Sequence, residues 1–136
     1  METIKLKDTT QEKARLDSLL KDFSSGTTYN PFNPSIRIWQ DSIRMGVSTF
    51  GGKLYLDYVG TSDKAKPGDA SKALDWLLSL ADKHHVDVSL SVVRIKQASK
   101  KPLLTTPQLK AWYMRHGFTV SSDREYLTRK HQAWPT

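Results

Sequence analysis

The clearest chemical signal in this chain is a glycine turn that leads into an amphipathic helix. Residues 53–60, Lys-Leu-Tyr-Leu-Asp-Tyr-Val-Gly, have strand character, and a short basic loop then runs into Gly68-Asp69-Ala70-Ser71. A helix that starts behind such a turn presents backbone N–H groups at the positive end of its dipole, and those groups hold phosphate well. Lys64 and Lys66 add positive charge beside it. Asp57 sits on the strand, opposite in face to Leu54, Leu56 and Tyr58. It is either a base for a proton-transfer step or a solvated strand carboxylate. Several other chemistries lack their residues. There is no cysteine, which excludes disulfides, cysteine-ligated zinc and a cysteine nucleophile. His84, His85, His116 and His131 show no His-x-x-x-His or Glu-x-x-His spacing, so no metal site is expected. A Gly-x-Ser-x-Gly elbow and a Walker loop are both missing from the sequence.

The elements that must position these residues follow from hydrophobic spacing. Residues 3–7 predict a first strand. Thr9 and Glu12 form a capping-box pattern, and Leu16, Leu19, Leu20 and Phe23 continue at helical spacing, which predicts a helix over about 10–22. The segment 27–35, with Pro31 and Pro34, cannot be regular helix. Its aromatics, Tyr29 and Phe32, either plug one end of a core or line a site. Residues 36–40, 43–49 and 54–59 read as three consecutive antiparallel strands, joined at Asp41-Ser42 and Phe50-Gly51-Gly52.

A helix over 69–83 follows, with Ala73, Leu74, Leu77, Leu80 and Ala81 inward and Asp69 as its cap. The alternation Val86, Val88, Leu90, Val92 predicts a strand, and strand–helix–strand of this length implies a parallel crossover. Residues 97–101 read as a polar, basic loop. Thr106-Pro107 starts a helix that stops at Gly117. A last pair of strands, 118–120 and 125–130, turns at Ser122-Asp123, and Trp134 lies in a short tail. The expected order is β-α-β-β-β-α-β-α-β-β. That is an α/β or α+β chain with one mixed sheet and helices on its faces.

At 136 residues the chain is expected to form a single domain over 1–136. Hydrophobic content of 38% and four tryptophans suit a globular core. The N-terminus lacks the apolar stretch of a signal peptide, and no apolar run reaches membrane-spanning length. A cytoplasmic location without membrane contact is therefore the expectation. The net charge of +7 suits either an anionic ligand or nucleic acid. Its lysines and arginines are scattered, with small clusters at Lys64/Lys66, Lys100/Lys101 and Arg129/Lys130, so nucleic acid ranks second.

The run Gln108-Leu-Lys-Ala-Trp-Tyr-Met-Arg-His-Gly-Phe118 resembles the end of a GNAT-type N-acetyltransferase domain, where a helical tyrosine stands four residues before a Gly-Phe pair. Here these are Tyr113, Gly117 and Phe118. The helix at 74–86 and the strand at 88–92 are similar to the family's third helix and fifth strand. The resemblance covers residues 54–118, is weak before Ile36, and in style is closest to small phage-encoded and bacterial members.

It implies an acyl-CoA N-acyltransferase fold and direct transfer of an acetyl group from acetyl-CoA to an amine, which is a small molecule or a protein. The cytoplasm would then be a host's if the source is a phage. The family's pyrophosphate loop would fall on residues 65–70. Gly68 and Ala70 fit it, with Lys66, Asp69 and Ser71 beside the phosphates. Ala65 stands where Gln or Arg is expected, Pro67 has no N–H to give, and Asp69 brings a carboxylate to an anion site. A backbone N–H near Tyr58 or Val59 would receive the thioester oxygen, and pantetheine would enter where this strand splays from the one at 88–92.

Tyr113 would be the general acid; helix spacing alone makes it a core aromatic beside Trp112. Asp57 would be the base, and Tyr29, Phe32, Arg37 and Trp39 the acceptor wall. A second function class remains open: a GNAT-fold protein that no longer catalyses and binds a protein or nucleic acid through its basic surface.

Overall fold

A computed structural model of the chain describes residues 2–92, 96–98, 105–121 and 126–133, with side chains described over 10–92, 105–121 and 126–133. The chain opens with helix α1 (Glu2–Ser25). Residues 3–7, expected as a strand, are the first turns of this helix, and the Thr9–Glu12 pattern lies inside it. The physical reason is local. A five-residue strand needs a ladder partner, whereas a helix satisfies its own backbone, and Lys, Glu, Gln, Ala and Leu around it favour the helix. Leu16, Leu19 and Phe23 are its buried stripe. The helix stops at Gly26, whose N–H donates to Asp22 O at 3.0 Å.

A four-stranded antiparallel meander follows: β1 (Thr28–Tyr29), β2 (Arg37–Trp39), β3 (Ile43–Phe50) and β4 (Lys53–Thr61). Gly51 and Gly52 close the β3–β4 hairpin with φ of +60° and +79°, the left-handed pair that a two-residue hairpin loop requires. Helix α2 (Asp69–Lys83) crosses over to β5 (Val88–Leu90), which pairs parallel to β4 at Leu54↔Val88 and Tyr55↔Ser89. The expected parallel crossover is present. A short strand β6 (Lys96–Ala98) then pairs with the later half of β4, again in parallel. It occupies part of the segment expected as loop.

Helix α3 (Thr106–Arg115) starts one residue earlier than its Thr-Pro signal suggests. Thr105 is the N-cap, and its side chain accepts from Gln108 N while Gln108 Oε1 accepts from Thr105 N. Strands β7 (Thr119–Val120) and β8 (Leu127–Arg129) finish the sheet, with β8 between β5 and β7 and antiparallel to both. The sheet order is β1-β2-β3-β4-β5-β8-β7, with β6 on β4. This is a mixed, mostly antiparallel sheet with three helices among the described residues. Relative to the expected order, the leading strand is helix, and β1 and β6 are additional. The expected turn at Ser122-Asp123, the docking of Trp134 and residues 99–101 lie outside the described residues.

Helices α1 and α2 pack together, and the core fills with Leu16, Leu19 and Phe23 of α1, Leu74, Leu77 and Leu78 of α2, and Ile43, Met45, Leu54, Leu56 and Val88 of the sheet. Leu78 is buried where Leu80 was expected; Leu80 is half-buried. Arg37 ties β2 to the end of α1, its Nε donating to Thr27 Oγ1 at 2.7 Å and its Nη2 to the carbonyls of Ser24 and Thr27 at 3.1 Å.

Candidate functional site

The ladders on both sides of β4 are interrupted at the same place. Toward β3 the register runs Gly46↔Tyr58 and then Val47↔Leu56, so Asp57 is an extra residue in a β-bulge. Toward β5 the pairing stops at Tyr55↔Ser89 and resumes with β6 at Tyr58↔Lys96. Leu56 and Asp57 therefore fall between the two parallel pairings of β4 and have no ladder partner on that side among the described residues. Bulges bend a strand and redirect side chains, and they concentrate next to sites.

The bulge also corrects the expected alternation. Asp57 is exposed and Leu56 buried as foreseen. Tyr58, however, does not share the inner face of Leu54 and Leu56. A one-residue insertion flips every following side chain, and Tyr58 turns to the outer face of the sheet. There it lines a cavity of 480 Å³ with Asn30, Pro31, Phe32, Asn33, Ile36, Ile38 and Arg44.

That cavity has a local cause in the sequence. Asn30 Oδ1 accepts from Phe32 N, and Asn33 Oδ1 accepts from Ser35 N, both at 3.0 Å. These two side-chain turns fold the proline-containing loop back over β2 and β3. Gly46 lets it approach, since a Cβ there would stand 3.4 Å from Ser35 O and 3.2 Å from Tyr58 Cβ. Phe32 is 96% exposed at the rim. Of the four residues expected as an acceptor wall, Phe32 alone lines this cavity. Trp39 is in the core, Arg37 is engaged with α1, and Tyr29 is exposed on β1.

The turn into α2 keeps its glycine but not its cap. Gly68 is the N-cap with φ of 90°, and Asp69 is the first helical residue. The Asp69 carboxylate accepts the N–H of Lys66 at 2.9 Å, and Asp69 N donates to Lys66 O at 3.1 Å. The chain thus places its own negative charge at the positive end of the helix. Ala70 and Ser71 lie in the same first turn, where Ser71 Oγ accepts from Trp112 Nε1 at 3.2 Å and so joins α2 to α3. Val59 pairs with Met45 on one side and Gln97 on the other.

Tyr113 is 1% exposed, with its ring against Trp112 at 4.8 Å and Phe118 at 5.5 Å. Burial pushes its phenol well above the ordinary tyrosine range. Three histidines are each held by an aspartate. His84 Nε2 lies 2.7 Å from Asp22, His116 Nδ1 lies 2.8 Å from Asp75, and His131 Nδ1 lies 2.8 Å from Asp87. These pairs join elements distant in sequence, so residue spacing could not reveal them. Among the described residues, no group of three or more His, Asp or Glu could hold a metal ion. No helix among them is long and apolar enough to cross a membrane. Compared with protein-family models, with curated proteins and with solved structures, the chain finds no match.

Proposed function

We propose that this chain is an acetyl-CoA-dependent N-acetyltransferase of the GNAT type, passing an acetyl group directly to an amine. The observation that carries it is the double interruption of β4 at Leu56–Asp57, beside a parallel crossover whose helix starts behind a left-handed glycine. A parallel pair that loses its ladder part-way leaves room for an extended ligand against the strand edge. Cofactor entry is assigned to the edge of β4 at Leu56 and Asp57, because the next residues of β4 are taken by β6.

In this proposal the Gly68 turn, with Lys66, Asp69, Ala70 and Ser71, carries the phosphates. A backbone N–H near Tyr58 or Val59 meets the oxygen of the thioester as it gains charge. Asp57, exposed in the bulge, takes the proton from the incoming amine. Tyr113 returns a proton to the departing thiolate. Calorimetry tests the proposal directly: acetyl-CoA binds saturably, and absence of heat at millimolar acetyl-CoA removes it. In acetyl transfer assays Tyr113→Phe lowers turnover with cofactor affinity nearly unchanged. Turnover that survives the change makes Tyr113 a core residue.

Three observations favour a second function, a non-catalytic member of the fold that binds a macromolecule. Tyr113 lies sealed in the core, the Asp69 carboxylate already sits at the helix N-terminus, and β6 covers part of the β4 edge. With +7 net charge, such a protein would associate with duplex DNA in a salt-sensitive way. A gel-shift series without a complex at low salt removes that version.

A further inference from the structure

We propose that the cavity on the outer face of the sheet binds a small monocarboxylate with a flat, apolar body, the carboxylate paired to Arg44. The walls are apolar: Pro31, Phe32, Ile36 and Ile38, with the Tyr58 ring beside them. The volume of 480 Å³ is in the range of small-molecule sites and far larger than an ion needs. Phe32, bare at the rim, is an aromatic surface that a flat ligand would cover.

The polar content of the cavity is one-sided. Arg44 is half-buried, and its side chain makes no hydrogen bond or ion pair to another described residue. Its cross-strand neighbours are Ile38 on β2 and Gly60 on β4, so no carboxylate stands opposite it in the sheet. Asn30 and Asn33 commit their side-chain oxygens to the loop, which leaves amide N–H donors for a ligand. Among the described residues no Asp or Glu lines the cavity. A cation and donors without an acidic partner call for an acceptor-rich anion. A single guanidinium matches one negative charge, and its planar fork matches a carboxylate. A phosphate would leave most of its charge uncompensated among apolar walls. The site stands on this geometry and does not depend on acetyl transfer. If the chain is an acetyltransferase, an amine carrying such a carboxylate, an apolar amino acid, is the acceptor that fits.

The test is a titration of the full chain followed by amide chemical shifts, with phenylacetate, phenylacetamide, phenethylamine and inorganic phosphate as probes. Phenylacetate should move the signals of Asn30, Ile36 and Tyr58 and bind about tenfold more tightly than its neutral amide. Phenethylamine and phosphate should give no saturable shift over the same range. Arg44→Gln should abolish the preference for acid over amide. Phe32→Ala, at a position too exposed to endanger folding, should weaken acid and amide alike. Equal binding of acid and amide overturns the proposal. So does a preference that survives Arg44→Gln in a folded variant, or phosphate binding as tight as that of phenylacetate.

Discussion

Arg129 on β8 grips Asp82 near the end of α2 with both terminal guanidinium nitrogens, at 2.8 Å (Nη1–Oδ1) and 3.0 Å (Nη2–Oδ2). Both side chains are largely buried, and Gln132 N adds a third donor to the same carboxylate. Arg129 therefore serves the interior, although its place beside Lys130 suggests a basic surface cluster. Removing one partner leaves the other desolvated. Arg129→Ala should cost about 2 kcal/mol, below the range for fully buried pairs because some solvent reaches this one. Thermal denaturation should show a fall in Tm of about 7 °C. A variant within about 0.5 kcal/mol of wild type would demote the fork to a surface contact.

Acid should weaken the fold in a defined window. Burial alone would raise the carboxyls of Asp82 and Asp87, but their donors outweigh it. The Arg129 side chain and Gln132 N–H act on Asp82, and the backbone and ring of His131 act on Asp87, so both are held below the ordinary carboxylate range. A carboxyl depressed in the folded state binds fewer protons there than in the unfolded chain. Its stabilisation is present above the unfolded value of about 4 and is lost as pH falls through the folded one. Urea denaturation at pH 7 and at pH 3.5 should therefore differ, and Asp87→Asn should reduce that difference by about 0.5 kcal/mol. An unchanged pH dependence in the variant would mean that the His131 contacts do not hold the carboxylate.

Legibility in the sequence followed the range of the interactions. The β3–β4 hairpin was readable because Gly51-Gly52 marks a turn by local chemistry, and the parallel crossover because α2 carries a clear apolar stripe. The start of α1 was not. Ile4 and Leu6 alternate as a strand would, and the helix-favouring residues around them together with the lack of a ladder partner among the described residues decide for helix. The bulge at Asp57 leaves no compositional mark, being a matter of register between two chains of similar residues. The cavity draws on the 30–33 loop and three strands; of its lining, Phe32 was expected at a site as an aromatic between two prolines, and Tyr58 for its backbone N–H and not for its ring.

Gly26 offers a packing test away from any site. A Cβ at this position would collide with the indole of Trp76, which also stacks on Phe23 at 5.8 Å and Trp39 at 6.4 Å. Gly26→Ala must push the indole out of that cluster. Overpacking of this kind costs about 1–3 kcal/mol. The variant should melt lower and show a red-shifted tryptophan emission as Trp76 meets water. Unchanged emission and stability would mean that the end of α1 yields instead.

The last prediction concerns the carboxylate that occupies the mouth of α2. Asp69→Asn keeps an oxygen for the Lys66 N–H and removes the charge. The helix should lose about 0.5 kcal/mol, since a negative group at an N-terminus is stabilising. If the Gly68 turn carries the cofactor's phosphates, the same change removes a like charge from their path. Affinity for acetyl-CoA should then rise about threefold, a modest gain because the group is near the surface and screened. Calorimetry of both proteins at low and high salt separates the effects. The gain should shrink with added salt, whereas a loss of folded protein would not. An affinity for acetyl-CoA that stays the same or falls in Asp69→Asn would assign the phosphates to another part of the surface, even if the cofactor still binds.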